Sequence, residues 1–380
     1  METIDSGETV SKAIPLLSFF TGGGFMDIGF EQAGFKTVWT NEHNPVFASM
    51  YAYGMTLWRQ ATGRHILPAR ITNTRNVQHL SARVIEKQAF PQGKPLLFGV
   101  IGGPPCPDFS SGGRHQGGNG LNGRLTKTYV NRITSLMPQF FVFENVAGLY
   151  RIKANRAYLQ KLEEQLQTSG YCLDLRIMNA LEMGVPQDRE RLIMVGVHQH
   201  LAKVCASRMI EKAERNWFPW PELFDFTGAK TRFNWPQKGP FGRTPLRPNR
   251  IPYQLTVASA FRSLPSENKD EVFNAYSERF KTVQEGDTKR KSFKRLHRYR
   301  YSPTACYGHN EVHLHPWKER RLSVREAMRI QGIPDEYSLQ PDHSLSAKFA
   351  VVSNGVPVPL AFQVAKSLKE FLRPALKITR

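Results

Sequence analysis

A single cysteine in this chain stands where a side chain could be aimed at a ligand. Cys106 directly follows two prolines, after the apolar run at residues 96–101. Proline fixes its own backbone angle and restricts the residue before it, so this turn holds the thiol in a defined direction. The run is typical of a parallel strand, and in open α/β sheets ligands bind beyond the carboxyl ends of strands. Cys106 is therefore a candidate nucleophile, although on composition alone it also fits a small buried hydrophobe, the usual role of a lone cysteine.

Charged residues stand at the ends of two further apolar runs. Glu144 follows the run at residues 140–143, and burial there would raise its pKa because desolvation disfavours a charged carboxylate. Arg189 and Arg191 precede the run at residues 192–197 and would share one face of an extended strand. Taken singly, Glu144 also fits a hydrogen-bonded strand end, and the arginines fit ordinary surface charges.

A glycine-rich turn follows the first apolar run. Residues 22–24 are three consecutive glycines, which let the backbone approach a ligand closely. No Gly-Lys-Ser/Thr follows, which argues against a phosphate-binding P-loop. Glu42 ends the second run about 20 residues later, where an acidic residue can bind ribose hydroxyls. Together these features favour a site for a nucleoside-containing cofactor, although a bare turn would also account for the glycines.

The elements that must position these residues follow a repeated pattern of a short apolar run, a break and a helix-compatible stretch. The runs are residues 14–20, 36–40, 96–101, 140–143 and 192–197. This alternation predicts an α/β fold with a mostly parallel, doubly wound sheet. Helices are predicted at residues 158–166, from about Ser323, and at 359–371. After about residue 199 the periodicity weakens, and residues 216–252 indicate a smaller, loop-rich domain.

Composition narrows the class of protein. The chain has 380 residues, of which 40% are hydrophobic, enough for a large core and a smaller domain. Its four cysteines show no paired spacing, so neither a zinc site nor a disulfide framework is expected. No apolar run reaches about 18 residues and the first residues are polar, so we expect no membrane span or signal peptide, and an intracellular location.

The charge of the chain favours a polyanionic partner. The formal net charge is +20, and residues 201–300 hold 21 Lys/Arg against 10 Asp/Glu. The densest stretch, residues 289–300, interleaves basic and aromatic side chains. Its basic members other than the terminal pair are Arg290, Lys291, Lys294, Arg295 and Arg298. This pattern predicts salt-sensitive contact with a phosphate backbone, the alternative being a solvated basic face.

In their order along the chain, seven segments resemble the motifs of the DNA (cytosine-5) methyltransferase family. They are LLSFFTGGGFMDIGFEQAGF, NEH, GGPPCPDFS, FENV, VPQDRERL, RRLSVREAMRIQGIPD and SNGVPVPLA. Four positions depart from the family pattern: Phe25 and Ser353 replace glycines, Pro107 replaces a glutamine, and Asn73 replaces an aspartate. These departures concern the adenine and methionine contacts and leave the reaction type intact.

The resemblance implies a covalent mechanism. The Cys106 thiolate would add to carbon-6 of a flipped-out cytosine, while Glu144 holds or protonates ring nitrogen-3. The resulting enamine would attack the methyl group of S-adenosylmethionine; a base would then remove the carbon-5 proton, and the thiolate would leave. Arg191 would contact the base carbonyl, with Arg189 close by, and the glycine-rich segment 112–123 would close over the site.

The resemblance also implies cofactor and DNA contacts. Adenine would stack on Phe20, Glu42 would bind the ribose, and Asn354 and Val356 would flank the methionine part. Further cofactor contacts are expected from Thr21, Gly22, Gly24, Asn73, Pro105 and Leu125. Expected DNA contacts are Ser110, Arg114, Arg124, Lys291 and Arg295. Arg232, Arg243, Arg247 and Arg250 are candidates for reading base edges or for binding phosphates. No metal is expected.

These expectations combine into one enzyme of two domains. Residues 1–198 and 313–380 would form the catalytic S-adenosylmethionine-binding domain, and residues 199–312 the target-recognition domain. The enzyme would methylate cytosine in a short duplex DNA sequence in the bacterial cytoplasm, at the nucleoid, as the companion of a restriction endonuclease that cuts the same site. The first alternative is a tRNA cytosine-5 methyltransferase, but that branch usually carries a Cys-Phe-Thr tripeptide that this chain lacks. The second, a non-catalytic DNA-binding module, would not need Cys106 and Glu144.

Overall fold

The computed structural model describes residues 13–64, 68–105, 121–211, 214–274, 276–290, 292–304, 307 and 312–378. Its centre is a six-stranded sheet with the strand order β2-β1-β3-β4-β6-β5. The strands are β1 Ile14–Phe19, β2 Phe35–Asn41, β3 Gly99–Gly102, β4 Phe140–Val146, β5 Tyr171–Asn179 and β6 Glu190–His198. The first four strands run parallel, and β6 is antiparallel to both of its neighbours, β4 and β5. The predicted mostly parallel α/β sheet is confirmed.

The α-helices of the described residues lie on both faces of this sheet, beside it and in the region after residue 199. They are α1 Phe25–Gln32, α2 Pro45–Ala61, α3 Ala82–Ala89, α4 Leu121–Leu136, α5 Gly148–Arg151, α6 Lys153–Thr168, α7 Gln199–Ala206, α8 Ala229–Arg232, α9 Val257–Ala260, α10 Arg279–Thr282, α11 Val324–Ile330, α12 Leu345–Asn354 and α13 Val358–Ile378. Helices α1, α7 and α13 pack on one face, and α3 to α6 pack on the other. Because both faces are buried, most residues of β1, β3, β4 and β6 are apolar.

Neighbouring residues of one strand enter different cores. Leu16 and Phe140 belong to the core under α13, whereas Leu17 and Phe141 belong to the core under α4 and α6. This alternation follows from the two-residue period of a strand. A third cluster joins α2, α11 and α12 beside the sheet.

The last helix returns to the first one. At Gly29 of α1, an added Cβ would lie 2.6 Å from Cβ of Ala361 in α13. The two helices therefore approach closely enough that only glycine fits at this point. Helix α13 begins one residue before the predicted start and runs to Ile378, past Pro374.

The region from residue 199 to 312 has little regular structure in its described part. It contains α7 to α10 and the short strand β7 Lys294–Arg295, which pairs in parallel with β8 His313–Leu314. A small cluster that includes Trp235, Leu255 and Tyr301 packs against Leu181 of the sheet domain. The expectation of a loop-rich region is met in these residues.

One stretch, Leu345–Lys377, is long and apolar enough to pass as a membrane-spanning helix by length and composition. In the structure it comprises two helices, α12 and α13, and half of the apolar window is buried inside the protein. Packing against the sheet and α1 accounts for its apolar character.

Candidate active site

The candidate catalytic residues that the structure describes, together with the glycine turn and Glu42, lie at one edge of the sheet. The carboxyl ends of β1, β2, β3 and β4 lie at this edge, and β6 begins there because it runs in the opposite direction. The chain leaves β1 toward β2 on one side and returns to β3 on the other. Such a reversal of strand order opens a crevice between the two central strands, and ligands of open α/β sheets bind there.

The glycine turn after β1 is a left-handed loop tied to the end of β2. Phe20, Gly22 and Gly24 have φ angles of 52°, 56° and 81°, and α1 begins at the next residue. The amide of Thr21 donates to the carbonyl of Asn41 at 3.0 Å. An added Cβ on Gly22 would meet nothing within 4 Å, so this side of the loop is open. The predicted strand-to-helix turn is confirmed, and its backbone is accessible to a ligand.

Glu42 lies beside this loop. Its carboxylate accepts hydrogen bonds from the amides of Gly22 at 2.9 Å and Asn44 at 2.8 Å. Desolvation raises the pKa of Glu42, and the bonds from Asn44 and Gly22 oppose that rise. An acceptor pair next to an open glycine loop fits a ribose with two adjacent hydroxyls. The residues present therefore fit a nucleoside-containing methyl donor at this edge.

The phenylalanine at position 25 does not fill that open side. The Phe25 ring is buried and directed inward, against Gly355 and edge-on to the ring of Tyr337 at 5.4 Å between centroids. This departure from the family pattern is accommodated in the core rather than in the loop.

Glu144 and Arg191 form an ion pair at the end of β4. Arg191 Nε lies 2.9 Å from Glu144 Oε1, and both side chains are about one-tenth exposed. Burial raises the pKa of Glu144 above its usual value, and the charges of Arg191 and then Arg189 only partly offset that effect. The predicted raised pKa is therefore supported, and the carboxyl group can hold a proton more readily than an exposed glutamate can.

The turn that carries the candidate nucleophile starts directly beside this pair. An added Cβ on Gly103 would lie 2.5 Å from Oε2 of Glu144. The side-chain amide of Asn145 donates to the carbonyl of Pro104 at 3.5 Å. Pro105 is the last described residue before Cys106, and Cys106 itself lies outside the described residues. The structure thus brings the start of the Pro-Pro-Cys turn to Glu144.

Arg189 has a different surrounding from the one expected. Its side chain is 1% exposed, and Nη2 donates to the carbonyls of Ser353 at 2.7 Å and Gly355 at 3.0 Å. Its charge still acts on Glu144. Arg189, directly before β6, therefore joins this end of the sheet to residues 353–355 at the end of α12, next to Val356, and holds that segment in place.

The remaining predicted cofactor contacts differ in their burial. Asn73 is buried: its side chain donates to Gln88 at 3.0 Å and accepts from the Arg75 amide at 3.0 Å. Leu125 is half-buried on α4. Asn354 is exposed, and Val356 is buried. The roles of these residues stay predictions.

One predicted DNA contact is wrong. Arg295 is fully buried, and its guanidinium donates to main-chain carbonyls, including those of Val283 at 2.7 Å and His315 at 2.6 Å. A side chain that is occupied in this way cannot reach a phosphate. Of the other predicted contacts, Arg124 is exposed on α4. Ser110, Arg114 and Lys291 lie outside the described residues.

Exposed arginines lie instead on the segment 238–250, here called the basic loop. Arg243, Arg247 and Arg250 are all exposed on it. Arg298 donates to Thr244 Oγ1 at 3.4 Å, and it also pairs with the buried carboxylate of Glu285 at 2.9 Å. One arginine of the dense stretch thus braces the loop that presents the others.

Sequence reasoning missed Asp27 in the first turn of α1. Its carboxylate accepts from Ser18 Oγ at 2.6 Å, and Thr21 Oγ1 donates to the carbonyl of Ser18 at 3.1 Å. Burial is the main cause that raises the pKa of Asp27 to about 7. A carboxylate just after a glycine turn was the available signal. Its hydrogen bond with Ser18 joins the first turn of α1 to the end of β1, on the buried side of the glycine loop.

Comparison with known proteins gives a consistent result. The family model described as C-5 cytosine-specific DNA methylase matches residues 14–370. The chain is 39% identical over 369 residues to the Type II methyltransferase M.NmeDI of Neisseria meningitidis serogroup C, covering 95% of this chain and 84% of that protein. It is 29% identical to the Type II methyltransferase M.FnuDI of Fusobacterium nucleatum, over 96% and 97% of the two chains.

Solved structures share the fold. A putative DNA modification methyltransferase encoded within an Escherichia coli prophage superposes with a TM-score of 0.62 at 21% identity, covering 95% of this chain and all of that chain. A Dnmt2 of Spodoptera frugiperda superposes with a TM-score of 0.57 at 15% identity, covering 94% of this chain and 99% of that one. Among the described residues, no group of three or more His, Cys, Asp or Glu side chains is placed to hold a metal ion.

Proposed function

This chain belongs to the C-5 cytosine-specific DNA methylase family, and from that premise we propose how its residues transfer a methyl group to carbon-5 of cytosine in DNA. Its similarity to Type II methyltransferases supports a role in restriction-modification. The enzyme would protect a short duplex sequence from a companion endonuclease, acting in the bacterial cytoplasm at the nucleoid. Residues 1–198 and 313–380 would form the catalytic domain, and residues 199–312 the target-recognition domain.

The observation that carries the proposal is the Glu144–Arg191 pair beside the Pro-Pro-Cys turn. A cytosine enters this crevice only after it leaves the duplex, since the base stack hides carbon-6. The Cys106 thiolate adds to carbon-6 and forms a sulfur–carbon bond. A positive charge nearby favours the thiolate, and Arg191 and Arg189 supply such charge at this edge.

Glu144 handles the charge that this addition creates. Its raised pKa lets it hold a proton and donate it to ring nitrogen-3, so electron density moves to carbon-5 instead of remaining on nitrogen. Arg191 both orients the carboxyl group and offers donors to the base carbonyl. After methyl transfer a base removes the carbon-5 proton, nitrogen-3 returns its proton to Glu144, the sulfur–carbon bond breaks and the thiolate is restored.

The loop Phe20–Gly24 and Glu42 would hold the methyl donor. S-adenosylmethionine supplies an electrophilic methyl group on a sulfonium centre. Glu42 would accept from the ribose hydroxyls, and Phe20 would stack on the adenine from its place edge-on to Tyr129. Arg189 would keep the segment with Asn354 and Val356 against the methionine part.

The basic loop would contact the duplex. Its exposed arginines can bind phosphates or read guanine edges bidentately. The brace from Arg298 fixes the base of the loop, which lowers the cost of ordering it on DNA. Arg124 at the start of α4 is a further candidate.

The test is a methyl-transfer assay with labelled S-adenosylmethionine and mixed-sequence duplex DNA, followed by digestion and detection of 5-methylcytosine. Wild type should yield 5-methylcytosine, and Cys106→Ala should yield none. Cys205→Ala, which changes a half-buried cysteine of α7, is the matched control and should retain activity. Activity in Cys106→Ala equal to that of wild type, or methylation of tRNA but not of DNA, would contradict the proposal.

A second measurement tests the covalent step. Duplex DNA with 5-fluorocytosine at the methylated position cannot lose a proton from carbon-5, so the enzyme should remain bound through Cys106. A covalent band on a denaturing gel is expected for wild type and for Cys205→Ala. A DNA-binding module without catalytic function would give no such band.

A further inference from the structure

The glycine loop after β1 is held from inside the protein by a residue 314 positions away. Tyr337 is fully buried, and its hydroxyl donates to the carbonyl of Gly23 at 2.8 Å. The same hydroxyl lies 3.2 Å from the carbonyl of Met50 in α2. A single phenol thus links the loop to a neighbouring helix.

The ring of Tyr337 has no room to move. An added Cβ on Gly54 of α2 would lie 2.2 Å from this ring, so the ring occupies the space that any side chain there would need. The Phe25 ring stands edge-on to it at 5.4 Å. The position of the hydroxyl is therefore set by packing, and packing in protein interiors yields little.

The backbone of Tyr337 is fixed as well. Arg325 Nη1 donates to the Tyr337 carbonyl at 3.0 Å, and Nε of the same buried arginine donates to the carbonyl of Glu267 at 2.9 Å. Two residues further along the chain, the Asn268 side-chain amide donates to the Leu339 carbonyl at 3.2 Å. The Leu339 main-chain amide donates to Asn268 Oδ1 at 3.0 Å. Hydrogen bonds that involve residues 267–268 thus fix the backbone of residues 337–339, and the Tyr337 hydroxyl in turn bonds to the carbonyl of Gly23.

We infer that Tyr337 is a positioning residue for the methyl donor, which sets the loop Phe20–Gly24 in the shape that binds S-adenosylmethionine. The inference rests on the proposed function, which assigns this loop to the donor. Several residues of the loop have left-handed backbone angles, so the chain there gains freedom when an anchor is lost. The hydrogen bond from the Tyr337 hydroxyl to the Gly23 carbonyl is such an anchor.

Tyr337→Phe removes the hydroxyl and keeps the ring. S-adenosylhomocysteine should bind the variant about three- to tenfold more weakly than wild type in calorimetry, because a lost internal hydrogen bond is worth a factor of this order. KM for S-adenosylmethionine should rise by a similar factor, with kcat and the affinity for duplex DNA within about twofold of wild type. A purely structural role would lower the melting temperature without this selective loss.

Tyr171→Phe is the matched control. Tyr171 is equally buried, and its hydroxyl donates to the carbonyl of Pro138 at 2.7 Å, far along the chain from the loop. This variant loses the same chemical group and should keep the affinity of wild type for S-adenosylhomocysteine. Equal affinity of Tyr337→Phe and Tyr171→Phe would overturn the inference.

Hydrogen exchange on the wild type gives a test that does not depend on folding of a variant. S-adenosylhomocysteine should slow amide exchange in peptides that cover residues 18–26 and also in those that cover 334–339. Protection of residues 18–26 alone would overturn the inference. Failure of the wild type to bind S-adenosylhomocysteine would instead overturn the assignment of the loop to the donor, and the inference with it.

Discussion

Two carboxyl groups near the proposed active site, those of Glu144 and Asp27, are buried, and each has one close side-chain partner. Glu144 faces Arg191 at 2.9 Å, and Asp27 faces Ser18 at 2.6 Å. Burial raises the pKa of both. In the proposed mechanism the first group transfers a proton to the bound base, whereas the second lies behind the glycine loop and accepts a hydrogen bond from the end of β1.

Replacement of Glu144 should remove proton transfer while the site remains intact. Glu144→Gln keeps the size and a donor but cannot give up a proton, so kcat should fall by about 10²- to 10⁴-fold. Glu163→Gln is the control, because Glu163 is also a largely buried glutamate paired with an arginine, Arg215, at 2.9 Å. Single-turnover methylation rates measure both. A Glu144→Gln rate within threefold of wild type would remove this residue from the mechanism.

Asp27 should make stability depend on pH. Its pKa of about 7 lies above the unfolded value of 3.8, so the folded state binds the proton more tightly. Between these two values stability therefore falls as pH rises, by up to about 1.4 kcal/mol per pH unit. Besides Ser18, the groups that face this carboxylate are Tyr51, Glu31 and Arg59.

Asp27→Asn removes the titrating group and nearly keeps its shape. Urea unfolding at pH 5 and pH 7 should show wild type losing stability over this interval and Asp27→Asn losing much less. Parallel pH profiles for the two proteins would show that Asp27 does not titrate in this range.

At the scale of elements, α1 and α13 pack closely together, so the first helix of the described residues contacts the last. An Ala at position 29 would place its Cβ 2.6 Å from both Cβ of Ala361 and the amide nitrogen of Phe362. The second contact is main chain and cannot rotate away. Gly29→Ala should therefore cost about 1–3 kcal/mol of unfolding free energy through overpacking.

Thermal unfolding monitored by circular dichroism tests this expectation. Gly239→Ala is the control, since a Cβ at Gly239 would meet nothing within 4 Å. A melting temperature of Gly29→Ala equal to that of the control would mean that the helices separate easily, contrary to this packing.

The elements also show what the sequence could predict. Five apolar runs gave five strands, four parallel and one antiparallel, because strands that are buried on both faces carry their signal in composition. Strand β5 was not predicted, since Asp174 and Arg176 interrupt its apolar pattern. The structure explains the first of these: Asp174 is fully buried and accepts from the amides of Leu175 at 2.9 Å and Phe218 at 3.0 Å. Because Phe218 lies 44 residues from Asp174, the residues around Asp174 give no sign of this hydrogen bond.

Prediction of the site was limited in the same way, because contacts between residues far apart in the sequence are not visible in it. Glu144 and Arg191 were singled out at strand ends, where ligands of such sheets bind, and the family resemblance supplied their expected roles. Arg295 was misassigned, since charge density along a sequence does not tell whether an arginine faces solvent or the carbonyls of its own fold. Tyr337 was missed because a buried tyrosine is the ordinary case, and only the structure places its hydroxyl at Gly23.

At the scale of the whole molecule, the +20 charge is presented unevenly. Arg295 and Arg298 of the dense stretch serve internal contacts, whereas the arginines of the basic loop face solvent. Binding to DNA should therefore depend on the basic loop more than on residues 289–300.

Charge removal on this loop should weaken DNA binding and its salt dependence together. Arg243→Ala and Arg247→Ala should each lower affinity, and a lost phosphate contact should reduce the slope of log K against log salt by about 1. Lys161→Ala, an exposed lysine of α6, is the control and should change neither. Fluorescence anisotropy at several salt concentrations measures both quantities, and an unchanged slope in the two arginine variants would exclude phosphate contact by them.

The bridge from Arg189 to the carbonyls of Ser353 and Gly355 has a consequence for the growing polypeptide. During translation the strands that bear Glu144 and Arg191 leave the ribosome long before the segment that Arg189 must grasp. A nascent or prematurely terminated chain would lack one wall of the proposed donor pocket, so we expect it to be inactive. Methylation is then expected only from molecules whose synthesis has passed this segment.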